Sequence, residues 1–66
     1  MKVRYDQTAD AIYLRLDESP IVESEEVQPG IILDFNGDNQ VVGVEILGVK
    51  TRAPQADLTR VQFEVG

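Results

Sequence analysis

Strict alternation of apolar and polar side chains, in short stretches split by turn residues, most constrains what this chain can fold into. Val3 and Tyr5 alternate with Lys2, Arg4 and Asp6. After the polar break Gln7-Thr8-Ala9-Asp10, the residues Ile12, Leu14 and Leu16 alternate with Tyr13, Arg15 and Asp17. Period two puts every second side chain on one face of a strand. With Asp6 opposite Ala11, Tyr5 meets Ile12 and Val3 meets Leu14, so all the aliphatics share a side. Arg4 then lies opposite Tyr13 on the other face, where a guanidinium can stack on the ring. One register satisfies both stretches, and that predicts a β-hairpin.

A second hairpin follows. Ile31–Phe35 and Val41–Val49 are rich in β-branched residues, and Asn36-Gly37-Asp38-Asn39 between them is a strong turn signal. Ile31, Leu33 and Phe35 share a face with Val42, Val44 and Ile46. Ile32, Asp34, Val41, Gly43, Glu45 and Leu47 share the other. Gly43 and Gly48 mark bulges or close backbone approach. Between the hairpins, Ile21–Gln28 carries Glu23, Ser24, Glu25 and Glu26 and reads as a loop or an exposed edge strand; Pro29-Gly30 closes it with a turn or bulge. Beyond Thr51-Arg52-Ala53-Pro54, the stretch Gln55–Arg60 allows a helical turn. Val61, Phe63 and Val65 alternate with Gln62 and Glu64, which favours a further strand over one continuous short helix from Ala56.

The expected fold is mainly β, with small α+β as the alternative. It is an antiparallel sheet of two consecutive β-hairpins plus a short C-terminal helical turn and/or fifth strand. Residues 1–66 form one domain, with a four-stranded core over 1–52 and the helical turn or strand over 53–66. One sheet face is strongly apolar and must pack on something. No long amphipathic helix is available, so either the C-terminal segment or a second copy covers it. Each fully buried Leu or Ile contributes on the order of 1.5–3 kcal/mol. Leaving that face wet costs more than a domain of 66 residues holds in reserve, and a two-fold homodimer is expected.

Composition narrows the function. The chain has neither Cys nor His. That excludes disulfides, thiolate metal sites and every Ser–His or Cys–His nucleophile pair, and it removes the commonest general base. Twelve acidic and six basic residues give a formal net charge of −6. Nucleic-acid binders instead carry a basic patch, so the expected partner is a basic protein or a cation. No apolar run approaches the roughly 20 residues of a membrane span. Met1–Asp6 reads as a strand, with no apolar signal region, and a cytoplasmic location without a cofactor is expected.

From Met1 to Arg52 the chain resembles the domain-of-unknown-function 2283 family of small prokaryotic β-rich proteins. The matching stretches run in order: Tyr5-Asp6-Gln7-Thr8-Ala9-Asp10-Ala11-Ile12-Tyr13-Leu14, Val27-Gln28-Pro29-Gly30-Ile31-Ile32-Leu33-Asp34-Phe35 and Val42-Gly43-Val44-Glu45-Ile46-Leu47. The resemblance implies a compact, mostly β domain with no established activity and no catalytic residues to carry over. It also implies, for some members, the antitoxin half of a gene pair whose partner resembles a basic, RelE-like RNA-cleaving toxin.

Three constellations stand out. Glu18, Glu23, Glu25 and Glu26 form the densest charge cluster. A solvated edge that resists aggregation accounts for it, and an acidic surface for a basic partner is the sharper reading; strand addition to a partner sheet is a further one. Asp34, Asp38 and Glu45 mimic part of a calcium loop, the basis of an alternative cation-binding or enzymatic reading. Against it stand Asn39 at the position that takes glycine, and flanks that are strands. Asp34 and Glu45 otherwise call for a basic partner such as Arg15, Lys50 or Arg52. Tyr5, Asp6, Asp10 and Tyr13 gather around the first hairpin, where turn and cross-strand roles suffice.

Overall fold

The computed structural model describes residues 1–66. Five strands form one sheet: β1 (Lys2–Asp6), β2 (Ala11–Arg15), β3 (Ile21–Gln28), β4 (Ile31–Asn36) and β5 (Val41–Leu47). One short helix, α1 (Val49–Arg52), follows. The strand order is β1-β2-β5-β4-β3, antiparallel throughout.

The first hairpin has the register the alternation dictates: Val3 opposite Leu14, Arg4 opposite Tyr13, Tyr5 opposite Ile12 and Asp6 opposite Ala11. Its turn is held by Asp6, whose Oδ1 accepts the backbone N–H of Thr8 (3.0 Å) and Ala9 (3.1 Å). In the β4–β5 hairpin Asp34 faces Gly43 but Phe35 faces Val41, which leaves Val42 as the extra residue of a bulge. The turn between them is organised by buried Asn36: its Oδ1 accepts from the amides of Asp38 and Gln40, each at 3.0 Å.

Cross-strand rows define two faces. On the aliphatic face one row runs Val3, Leu14, Val44, Leu33, Glu25 and the next Tyr5, Ile12, Ile46, Ile31, Gln28. On the opposite face the rows are Arg4, Tyr13, Glu45, Ile32, Glu26 and Lys2, Arg15, Gly43, Asp34, Ser24.

Three local expectations give way. The four-stranded core becomes five-stranded, because Ile21–Gln28 takes the edge-strand reading and not the loop, as β3. Gly30, at φ 78, turns the chain from β3 into β4 and brings the acidic strand alongside. Residues 61–65 form no strand; β1 and β3 each leave an outer edge unpaired, and the tail bonds to neither. The last strand stops at Leu47 instead of running to Val49, because Gly48 takes the left-handed conformation (φ 65) and swings Val49 inward, where it is buried at the start of α1. The helix thus forms before Pro54. In the expected helical stretch there is only a turn at Asp57, whose Oδ1 accepts the Thr59 amide (3.0 Å) and hydroxyl (2.5 Å).

Candidate functional site

The polar face holds a groove of ≈ 460 Å³, lined by Arg4, Tyr13, Ser24, Asp34 and Glu45 and closed at its sides by Ile21 and Leu47. Two of its lining side chains, Asp34 and Tyr13, occupy the space over Gly43, which has no side chain of its own. A methyl group there would sit 2.8 Å from Asp34 Oδ2 and 3.1 Å from the Tyr13 hydroxyl, so both groups lean over the glycine. Asp34 is the most completely buried side chain of the protein, 2% exposed. A buried carboxylate needs a donor. Asp34 finds one across the β3–β4 ladder, where the Ser24 hydroxyl donates to Oδ1 at 2.6 Å.

Glu45 is the diagonal neighbour of Asp34 on the same face. Partial burial, reinforced by a hydrogen bond and charge repulsion from Asp34, holds the Glu45 carboxyl above its usual value. The expected basic partner is absent. Arg15 turns away to donate to the carbonyls of Asp17 (2.6 Å) and Ser19 (2.5 Å) and to the Tyr13 hydroxyl (3.3 Å). Its one acidic contact is Glu18, at 3.8 Å. Arg52 donates to the carbonyls of Leu47 (2.8 Å) and Pro29 (2.5 Å).

The calcium-like trio does not assemble. Asp38 sits in the β4–β5 turn, while Asp34 and Glu45 lie within the ladder, and no three acidic side chains converge on a point that could hold a metal ion. Around the first hairpin, Asp10 ties the structure together instead: it accepts from the Tyr5 hydroxyl at 2.7 Å and from the Lys50 amide at 3.1 Å. That bond raises the Tyr5 hydroxyl above its ordinary pKa.

The acidic cluster is divided. Glu23 and Glu25 pair with Phe35 and Leu33 and fall on the aliphatic side of β3; Glu26 pairs with Ile32 on the groove side. Glu18 lies in the β2–β3 connection. All four are exposed. The roles of Ser24 and Tyr13 were hidden in the sequence, Ser24 within an acidic run and Tyr13 as a partner for Arg4. The signal that points to them is a glycine directly opposite a mid-strand aspartate.

The aliphatic face is the larger surface. Val42 and Val49 are the only hydrophobic side chains fully removed from water. Tyr5, Ile12, Leu14, Ile31, Leu33, Phe35, Val44 and Ile46 are half-buried, and Val3 is exposed. Residues 57–61 of the tail lie along one side of this face, forming a shallow cleft with Val3, Tyr5 and Ile12.

The stretches that build both faces also fix the family. The family model described as "Protein of unknown function (DUF2283)" matches residues 2–50. The chain belongs to this family. The match takes in all five DUF2283 strands and both faces, and stops short of the tail. No curated protein and no solved structure matches the chain. No helix is long and apolar enough to cross a membrane.

Proposed function

We propose that this DUF2283 chain is a non-catalytic interaction module of the cytoplasm that seats a second copy of itself on the aliphatic face of its sheet. One observation carries the reading: a whole sheet face of aliphatic and aromatic side chains remains partly wet, while just two hydrophobic side chains are buried. A monomeric sheet of this size has only a small margin of burial over the entropy of ordering its backbone. The molecule measures 37 × 30 Å across its broad directions, a side of about 1,000 Å², against the about 800 Å² per partner of a standard stable interface. Charge favours a like copy as well. Glu23 and Glu25 rim the face at β3, and Arg60 lies beside Val3 and Tyr5 at the other side.

A basic protein partner is the finer reading, in line with the antitoxin role that the family resemblance implies. The outer edge of β3 supports it: an unpaired strand edge flanked by Glu18, Glu23, Glu25 and Glu26 attracts positive charge and can accept an added strand.

The two contacts separate experimentally. Association through the aliphatic face makes melting depend on chain concentration, rising over a hundredfold concentration series; a melting temperature independent of concentration overturns the self-association. The basic partner is tested by co-expression with the product of the adjacent gene. Co-purification that E23K/E25K/E26K abolishes supports the acidic edge, and its absence removes that reading.

A further inference from the structure

The tail contains an amphipathic extended segment without a partner. Val61, Phe63 and Val65 are 71%, 72% and 85% exposed. Between them the Gln62 amide donates to Glu64 Oε1 at 2.9 Å, so the polar side chains of 62 and 64 share one side. Val61 alone reaches the chain's own aliphatic face, beside Val3, Tyr5 and Ile12; Phe63 and Val65 meet neither that face nor a sheet edge. The preceding residues are placed. Leu58 is half-buried, and residues 57–61 rest beside Val3, Tyr5 and Ile12 at the β1–β2 side of the aliphatic face.

We infer that Phe63–Val65 of one copy packs on the β4–β5 part of the aliphatic face of the second copy, against Leu33, Phe35 and Val44. The inference rests on the self-association proposed above and specifies its arrangement. A two-fold axis running along the strands sets the β1–β2 side of each sheet, with its docked tail, over the β3–β4 side of the other. In this arrangement the placed residues 57–61 already lie over the partner's β3–β4 side, and the residues that follow, at about 3.3 Å each when extended, reach the partner's neighbouring strands β4 and β5. The same arrangement brings Arg60 of one copy toward Glu23 and Glu25 at the rim of its partner. An axis across the strands would instead stack β3 on β3 and oppose the glutamates, a repulsive juxtaposition. The acidic rim thus selects which way two like sheets face.

The test is the dimer dissociation constant of the full chain and of F63S, measured by dilution, together with the melting temperature of each at a concentration where the chain is monomeric. Phe63 is exposed in the single chain, so the variant is expected to leave the monomer's melting unchanged. Loss of a buried aromatic from each half of a symmetric interface is expected to weaken association at least ~10-fold. R60E is expected to weaken it too, and E25R in the same chain to restore it. A full chain that stays monomeric at every concentration removes the self-association and the tail placement together. A dimer whose affinity F63S leaves unchanged overturns the tail placement alone. A monomer that F63S destabilises means that the tail covers its own sheet, and that also overturns the placement.

Discussion

At the scale of single residues, Gly43 makes room for two polar groups of the groove. With no Cβ there, Asp34 and Tyr13 close over the strand, and Asp34 becomes buried with Ser24 as its donor. Glu45 then sits beside a buried acid and holds its proton above the usual value of 4.5. The direction sets a sign. A carboxyl whose folded pKa is raised contributes its full stability below the unfolded pKa and loses it as pH rises through the folded value. Glu45→Gln should therefore melt like the parent at about pH 4, and above it in temperature at about pH 8, where the parent carries the extra charge. Melting curves of the two proteins across that range check it; a constant gap, or a variant less stable at the higher pH, contradicts the burial of Glu45 beside Asp34. In the sequence the pairing of Asp34 and Glu45 on one face was legible from period two. Their partners were not. A charged pair invites a salt bridge, but Arg15 and Arg52 are committed to backbone carbonyls at loop ends, and those bonds depend on where loops close.

At the scale of elements, alternation sufficed wherever both partner strands alternate. The β1–β2 register follows from it residue by residue. It left two readings open where charge masked the pattern: Ile21–Gln28 is the edge strand and not the loop because Gly30 folds it against β4, and its glutamates tolerate that position since both of its faces are solvated there. It misled at Val61–Val65, where the pattern of a strand is present and the partner strand is not; period two reports an amphipathic extended segment, and pairing needs a free ladder. Val49 misled in a similar way, as a β-branched residue following Gly48, whose left-handed backbone ends the strand. The β3–β4 turn offers the sharpest test of the element level. Gly30 has φ 78, and a side chain added there would run into the Arg52 guanidinium, which holds the Pro29 carbonyl. Gly30→Ala is expected to cost about 1–2 kcal/mol from the left-handed backbone alone, lowering the midpoint by roughly 5–10 °C in a domain of this size. An unchanged midpoint would mean that the turn does not hold β3 in the sheet.

At the scale of the whole molecule, the chain separates two surfaces by the faces of one sheet. The polar side gathers a groove lined by Asp34, Glu45, Tyr13 and Ser24, with the Glu45 carboxyl held above its usual value. The other side spreads aliphatic residues with an acidic rim and a docked tail, and finds too little within one chain to cover them. The proposed self-association would supply the missing layer and turn a one-layer sheet into the two packed layers that stable domains use. Sedimentation equilibrium of the purified chain over a broad concentration range measures this directly. The expected mass rises from 7.3 kDa toward twice that value as concentration increases. A single species of 7.3 kDa at every concentration, folded and cooperative in melting, would contradict it.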